Sequence, residues 1–83
     1  MAKELSWTAL TILLQLDRFE RDHIRPNHSL IADIVACSRR TVIRRVKELE
    51  KATLIKVDRT HGPKRQIIMV NPDGRKVLSE WRQ

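Results

Sequence analysis

Arg40, Arg44, Lys47 and Lys51 stand at spacings of i, i+4, i+7 and i+11. On a helix, at about 100° per residue, they form one uninterrupted basic stripe roughly three turns long. Val42, Val46 and Leu49 fall within about 60° of one another on the opposite side and must face a core. The chemistry such a stripe offers is recognition of a polyanion. A helix fits the roughly 12 Å wide major groove of duplex DNA, and an Arg near its N-terminal end can bond a guanine edge through two hydrogen bonds. Arg39 and Arg40 also occupy the first turn, where the helix dipole favours acids. A demand for cations is the simplest reason to place them there. A merely solvated face normally mixes Glu with Lys, whereas Glu48 and Glu50 flank this stripe without interrupting it.

A second basic element follows at once. Arg59, His61, Lys64 and Arg65 surround Gly62-Pro63, a turn-forcing pair between two apolar runs. An exposed hairpin tip is the plain reading; a wing lying along phosphates or entering the minor groove is the functional one, and adjacency to the basic helix favours it. The charge distribution agrees. Residues 39–65 hold ten Lys/Arg (39, 40, 44, 45, 47, 51, 56, 59, 64, 65) against three acids (48, 50, 58). Elsewhere seven basic residues balance seven acidic ones, so the whole net charge of +7 resides in one contiguous third of the chain.

Other chemistries fit less well. His23, His28 and His61 lack zinc-ligand spacing, and Cys37 is the only cysteine, so no metal or other cofactor is expected. Cys37 reads as a small packed residue in a turn rather than a redox sensor, and its solitude suits a reducing compartment. Asp17, Glu20 and Asp22 suggest a carboxylate cluster, but i, i+4 pairing with Arg18 and Arg21 makes a solvated face the better expectation. No glycine-rich phosphate loop and no Ser/His/Asp constellation is present, which argues against an enzyme. Trp7 and Trp81 lie outside the basic third and read as core or interface residues. With almost no aromatics on the basic face, RNA or single-strand binding is disfavoured. No signal-peptide pattern or membrane-spanning stretch occurs, so a cytoplasmic, nucleoid-associated protein with no membrane partner is expected.

The elements that must position these residues can be placed from period and punctuation. Eighty-three residues support one domain with one modest core. A helix is expected from Ser6 to about His23. Its apolar residues, Leu5, Ala9, Leu10, Ile12, Leu13, Leu14, Leu16 and Phe19, cover more than half the wheel, wider than the roughly 100° stripe of an ordinary surface helix. That width suggests contact on two sides, with the body of the domain and with a second copy. Asn27 caps a helix over 28–35, residues 36–38 make a tight turn, and Ser38 caps the basic helix over 39–51. Strands over 54–58 and 65–71 pair antiparallel around the turn. Asn71-Pro72 then caps a last helix to about Arg82, with Val77, Leu78 and Trp81 on one side. The fold class expected is mostly α with a small β-hairpin: a helix-turn-helix over 27–51, a wing over 54–71 and a C-terminal helix over 72–82.

Residues 26–42 read Pro-Asn-His-Ser-Leu-Ile-Ala-Asp-Ile-Val-Ala-Cys-Ser-Arg-Arg-Thr-Val. This resembles the winged helix-turn-helix pattern of bacterial and phage regulators, Pro-Ser-x-x-x-Leu-Ala-x-x-x-Gly-Val-Ser-Arg-Arg-Thr-Val. Those sequences continue into a basic helix ending Leu-Glu-x-x-Gly-Leu-Ile, where this chain has Leu-Glu-Lys-Ala-Thr-Leu-Ile at 49–55. The match, over about 26–71, is similar to the DNA-binding heads of GntR-type repressors and of phage and plasmid replication initiators. Asn-Pro-Asp-Gly-Arg at 71–75 resembles the segment after the wing in MarR-type and PadR-type repressors. Ala36 stands where the pattern has its turn Gly, which implies a small steric penalty; Thr53 stands where it has the Gly after the basic helix, which argues against a left-handed C-cap there.

The resemblance implies that Ser38, Arg39, Arg40, Thr41, Ile43, Arg44 and Lys47 face the groove or the phosphates, with Arg59, His61, Lys64 and Arg65 supplied by the wing. The expected function is sequence-specific binding of double-stranded DNA as a transcriptional regulator, most naturally a repressor, working as a homodimer through the first and last helices without a small-molecule ligand. A replication or partition protein of a phage or plasmid is the alternative within the class. A winged helix used for protein–protein assembly is the alternative outside it.

Overall fold

Each of the first three helices starts at a side chain able to accept from its free amides. A computed structural model of the chain describes residues 6–59 and 67–81. It contains α1 (Trp7–Arg21), α2 (His28–Val35), α3 (Arg39–Lys51), β1 (Ile55–Asp58), β2 (Ile67–Val70) and α4 (Pro72–Trp81). Ser6 Oγ accepts the Ala9 N–H at 3.1 Å, Asn27 Oδ1 the Leu30 N–H at 2.7 Å, and Ser38 Oγ the Thr41 N–H at 3.1 Å. Ser6 is therefore the cap of α1 rather than its first residue. Asn71 is used differently from the other three. Its carbonyl takes the Arg75 N–H that opens α4, while its side-chain Nδ2 donates to the Thr53 carbonyl at 2.9 Å.

The helix ends carry less obvious signals. His23 (φ 57°), Ala36 (φ 60°) and Thr53 (φ 59°) all adopt the left-handed conformation, and none is glycine. At α3 the Leu54 N–H returns to the Leu49 carbonyl and the Thr53 N–H to the Glu50 carbonyl, each at 3.0 Å, which is the Schellman arrangement. The left-handed C-cap that Thr53 argued against in the sequence is thus present. Leu54 lands beside Leu49, both buried, and that packing holds a β-branched residue where glycine is the usual occupant. The same pair of bonds closes α1, from Ile24 to Phe19 at 2.8 Å and from His23 to Glu20 at 3.3 Å.

α1 lies at the centre of the packing. Ala9, Ile12, Leu13, Leu16 and Phe19 are buried, and the helix touches α2, α3, α4 and β2. Its wide apolar arc, expected to face a second copy as well as the domain, is therefore largely covered within one chain, with Leu10 and Leu14 half-buried. The acidic side of α1 is also not the solvated face expected. Asp17 is buried, 3.2 Å from Arg21 Nη2 and 3.8 Å from Arg75 Nε. Glu20 accepts Arg75 Nη2 at 2.8 Å and the backbone N–H of Val70 at 3.0 Å. These carboxylates bracket α1 to β2 and α4, and the buried Asp17 is thereby paired.

β1 and β2 pair antiparallel with Ile55 opposite Val70 and Val57 opposite Ile68. β1 begins at Ile55, one residue later than expected, and β2 ends at Val70, one residue earlier; the expected start of β2 at 65–66 lies outside the described residues. Ile55, Val57, Ile68 and Val70 point into the core, and Lys56 and Met69 point out. The expected turn, with Gly62-Pro63, His61, Lys64 and Arg65, lies outside the described residues, as do Leu5 and Arg82. α4 closes on the root of the hairpin at Gly74, where a Cβ would strike the Leu54 carbonyl and sit 2.9 Å from Val70 Cγ1. Only glycine permits that approach.

Candidate nucleic-acid interface

The turn between α2 and α3 sets the attitude of the basic helix. Ala36 ends α2 at φ 60°, ψ 48°, the Cys37 N–H returns to the Ala32 carbonyl at 3.0 Å, and Ser38 begins α3 one residue later. Cys37 is half-buried and packs against the core. Val42, Val46 and Leu49 of α3 are buried as their spacing requires. Arg39, Arg40, Arg44, Lys47 and Lys51 are all exposed.

Pairing then decides which charges remain available. The two acids of α3 are both engaged by arginines outside the stripe: Glu48 by Arg45 at 2.9 Å, and Glu50 by Arg59 through two bonds of 2.9 and 2.8 Å. Arg39, Arg40, Arg44, Lys47 and Lys51 have no ion-pair partner among the described residues. No acid occupies the first turn of α3. An exposed, uncompensated row of four cations, Arg40, Arg44, Lys47 and Lys51, thus runs the length of a helix about 20 Å long, with Arg39 exposed to one side of it in the first turn.

The remaining expected residues fall into distinct places. Thr41 and Ile43 are half-buried on the flank of α3, and the Ser38 and Thr41 hydroxyls lie 2.9 Å apart, so both are occupied in the cap. Arg59 reaches α3 only through Glu50. His61, Lys64 and Arg65 lie outside the described residues. Lys51 ends the stripe as its spacing requires, and two residues that the sequence reading did not single out stand beside it. Lys56 projects from β1, exposed and unpaired among the described residues. The alternation Ile-Lys-Val at 55–57 was the signal for Lys56. The other is His28, at the start of α2, whose pKa is lowered by burial and then by the nearby Arg39 guanidinium. Nothing local in the sequence brings His28 to Arg39.

A helix-turn-helix with an exposed cationic second helix, a hairpin after it and a packed helix before it matches one family model, that of the Crp-like helix-turn-helix domain, over residues 10–74. The chain belongs to the Crp-like helix-turn-helix domain family. The match runs from within α1 through α2, α3 and both strands to Gly74, so it takes in the helix-turn-helix and the hairpin strands of this winged helix-turn-helix DNA-binding domain. The fold is similar to that of the M. tuberculosis transcriptional regulator MosR, with a TM-score of 0.75 and 21% identity, covering 92% of this chain and 52% of that one. It is similar to S. aureus MepR in a complex with DNA, at 0.76 and 19%, covering 94% and 62%. It is also similar to the zinc-responsive MarR family member ZitR of Lactococcus lactis, at 0.74 and 22%, covering 99% and 54%. At these identities the likeness is one of fold, and the Crp-like chain spans little more than half the length of the first of these structures. Comparison with curated proteins gives no match. No helix among the described residues is long and apolar enough to cross a membrane.

Proposed function

We propose that this domain binds double-stranded DNA sequence-specifically, with α3 in the major groove and the wing on the adjacent backbone or minor groove. The observation that carries the reading is the exposed row of Arg40, Arg44, Lys47 and Lys51, with Arg39 beside it in the first turn, left uncompensated because Glu48 and Glu50 pair elsewhere. Arg39, Arg40 and Arg44, in the first half of α3, are the base-reading residues. Ser38, Thr41, Ile43 and Lys47 line the groove or the phosphates beside them, and the wing adds His61, Lys64 and Arg65. In this reading it acts as a cytoplasmic transcriptional regulator, most simply as a repressor that occupies its site. The fold it shares with MepR, a protein solved on DNA, supports the docking.

Two copies through α1 and α4 form the proposed assembly. Since the apolar arc of α1 is largely covered internally, the support lies at the helix ends. Trp7 is 69% exposed and packs edge-on against Trp81, with centroids 5.2 Å apart. Trp81 is itself half-buried against the core, so the pair offers one exposed indole on a fixed base, which suits an interface.

Selection of bound duplexes from a random pool, followed by binding at several salt concentrations, tests the reading. A recovered consensus, with log K falling by about 0.9 per log unit of salt for each phosphate contacted, is expected. A palindromic consensus with half-sites about one helical turn apart supports the dimer. Recovery of random sequence, or binding indifferent to salt, refutes specific duplex recognition.

A further inference from the structure

Arg59 counts as a wing cation in the sequence, and in the structure its guanidinium is engaged by an acid of α3. Nη1 donates to Glu50 Oε2 at 2.9 Å and Nη2 to Glu50 Oε1 at 2.8 Å, the parallel two-bond geometry that fixes direction as well as distance. The contact spans the C-cap of α3, the left-handed Thr53 and all of β1. It joins the last turn of the basic helix to the first residue beyond the strand, where the chain leaves for the wing. The opposite side of the hairpin root is held by different groups. Glu20 takes the Val70 N–H, and Asn71 donates to the Thr53 carbonyl. The wing therefore springs from a root tied on one side to α1 and on the other to α3.

We propose that Glu50 and Arg59 form a neutral clamp that sets the direction of the wing relative to α3, and that Arg59 is a positioning residue rather than a phosphate contact. The inference rests on the reading that α3 and the wing engage one duplex. Three observations carry it. The pair presents no net charge, so it contributes nothing to neutralising phosphates. Both partners are substantially exposed, at 48% and 33%, so the pair adds little to global stability and its effect is one of geometry. Glu50 is also the acid whose removal from the DNA-facing surface most needs an explanation, since it neighbours Lys51 on the helix that carries the stripe. The mutual hydrogen bonds hold Glu50 below its ordinary pKa and Arg59 above its own, so both stay charged throughout the range in which DNA binding is measured.

The test uses the full chain, a duplex recovered by selection and a scrambled duplex of the same length, titrated across salt with E50Q, R59K, R59Q, E50Q/R59Q and the exchanged pair E50R/R59E. Thermal unfolding of each variant separates loss of fold from loss of binding. The clamp requires R59K, which keeps the charge but not the fork, to bind the selected duplex several-fold more weakly. E50Q frees a cation and strengthens binding to the scrambled duplex while its preference for the selected one falls. The double neutral variant is no weaker than R59Q alone and keeps the wild-type salt slope, and the exchanged pair recovers most of the preference. A slope that drops by about 0.9 in E50Q/R59Q makes Arg59 a phosphate contact and overturns the proposal. Additive losses from E50Q and R59Q, or no recovery in the exchanged pair, overturn it as well. A wild-type chain that binds neither duplex refutes the DNA reading itself, and the clamp falls with it.

Discussion

Thr53 is exposed, β-branched and held at φ 59°, which makes its replacement by glycine a direct measure of what the end of α3 stores. An L-residue in the left-handed region is disfavoured by roughly 1–2 kcal/mol, and β-branching puts Thr at the upper end of that range. Glycine removes the strain but gives the unfolded chain more freedom, which returns about 0.5–1 kcal/mol. The side chain makes one exposed bond, from Oγ1 to the Ala52 carbonyl, and water replaces it when it is lost. Thr53→Gly is therefore expected to stabilise the domain by about 0.5–1.5 kcal/mol. For a domain of this size that raises the midpoint of thermal unfolding by about 2–12 °C. Ala36→Gly provides the internal control, because Ala36 has the same φ, 60°, without the branch. There the two terms nearly cancel, and little change is expected. Circular dichroism melts of the three proteins, with urea titrations to check that m is unchanged, decide the matter. A lower midpoint for Thr53→Gly, or an equal gain from Ala36→Gly, refutes the assignment of strain to the branched side chain.

Three further outcomes follow from the structure. Arg44→Ala should weaken binding to the selected duplex by about 1–3 kcal/mol and relax preference at one base position; an equal loss on every duplex in a competition assay moves Arg44 to the phosphates. Gly74→Ala should destabilise by about 1–3 kcal/mol, because the new methyl meets the Leu54 carbonyl and a gain in helix propensity of about 1 kcal/mol is too small to compensate. An unchanged melting midpoint would show that α4 can move off the hairpin. His28 titrates below its ordinary 6.5 in the folded chain, so its contribution to stability is complete above pH 6.5 and is lost as pH falls through the lowered folded-state value. His28→Gln should remove that part of the pH dependence, and a stability difference between the two proteins that stays constant from pH 5 to about 7.5 contradicts it.

The parts of this fold that were readable in the sequence are those governed by neighbouring residues. Asn27 and Ser38 each precede a run of helical period, so the caps and the bounds of α2 and α3 emerge as expected. The stripe on α3 depends on spacing alone and is found where spacing puts it. Features set by distant partners were not readable. The i, i+4 spacing gives Asp17 its Arg21 but says nothing of Arg75 on α4, which helps turn a surface pair into a buried bracket. Width of the apolar arc on α1 reports how much of the helix is covered but not by what, and here α2, α3, α4 and β2 cover it. Thr53 and His23 gave no sign of left-handed geometry because the bonds and packing that enforce it involve the residues around them, not their own preference.

Arg59 shows most clearly where a count of charges stops being informative. Ten cations between residues 39 and 65 suggest a uniformly basic surface, but the structure sorts them. Arg45 and Arg59 neutralise the two acids of α3, and what remains unpaired on that helix is one row facing outward. The sorting matters physically because interspersed carboxylates would repel the phosphates that the row attracts, and at close range that repulsion acts on orientation as well as affinity. Keeping both acids on α3, each held by an arginine off the stripe, gives the helix two directional polar links without weakening the outward field. One link is made within α3 and one reaches the hairpin, so the element that presents the cations also fixes where the second basic element begins.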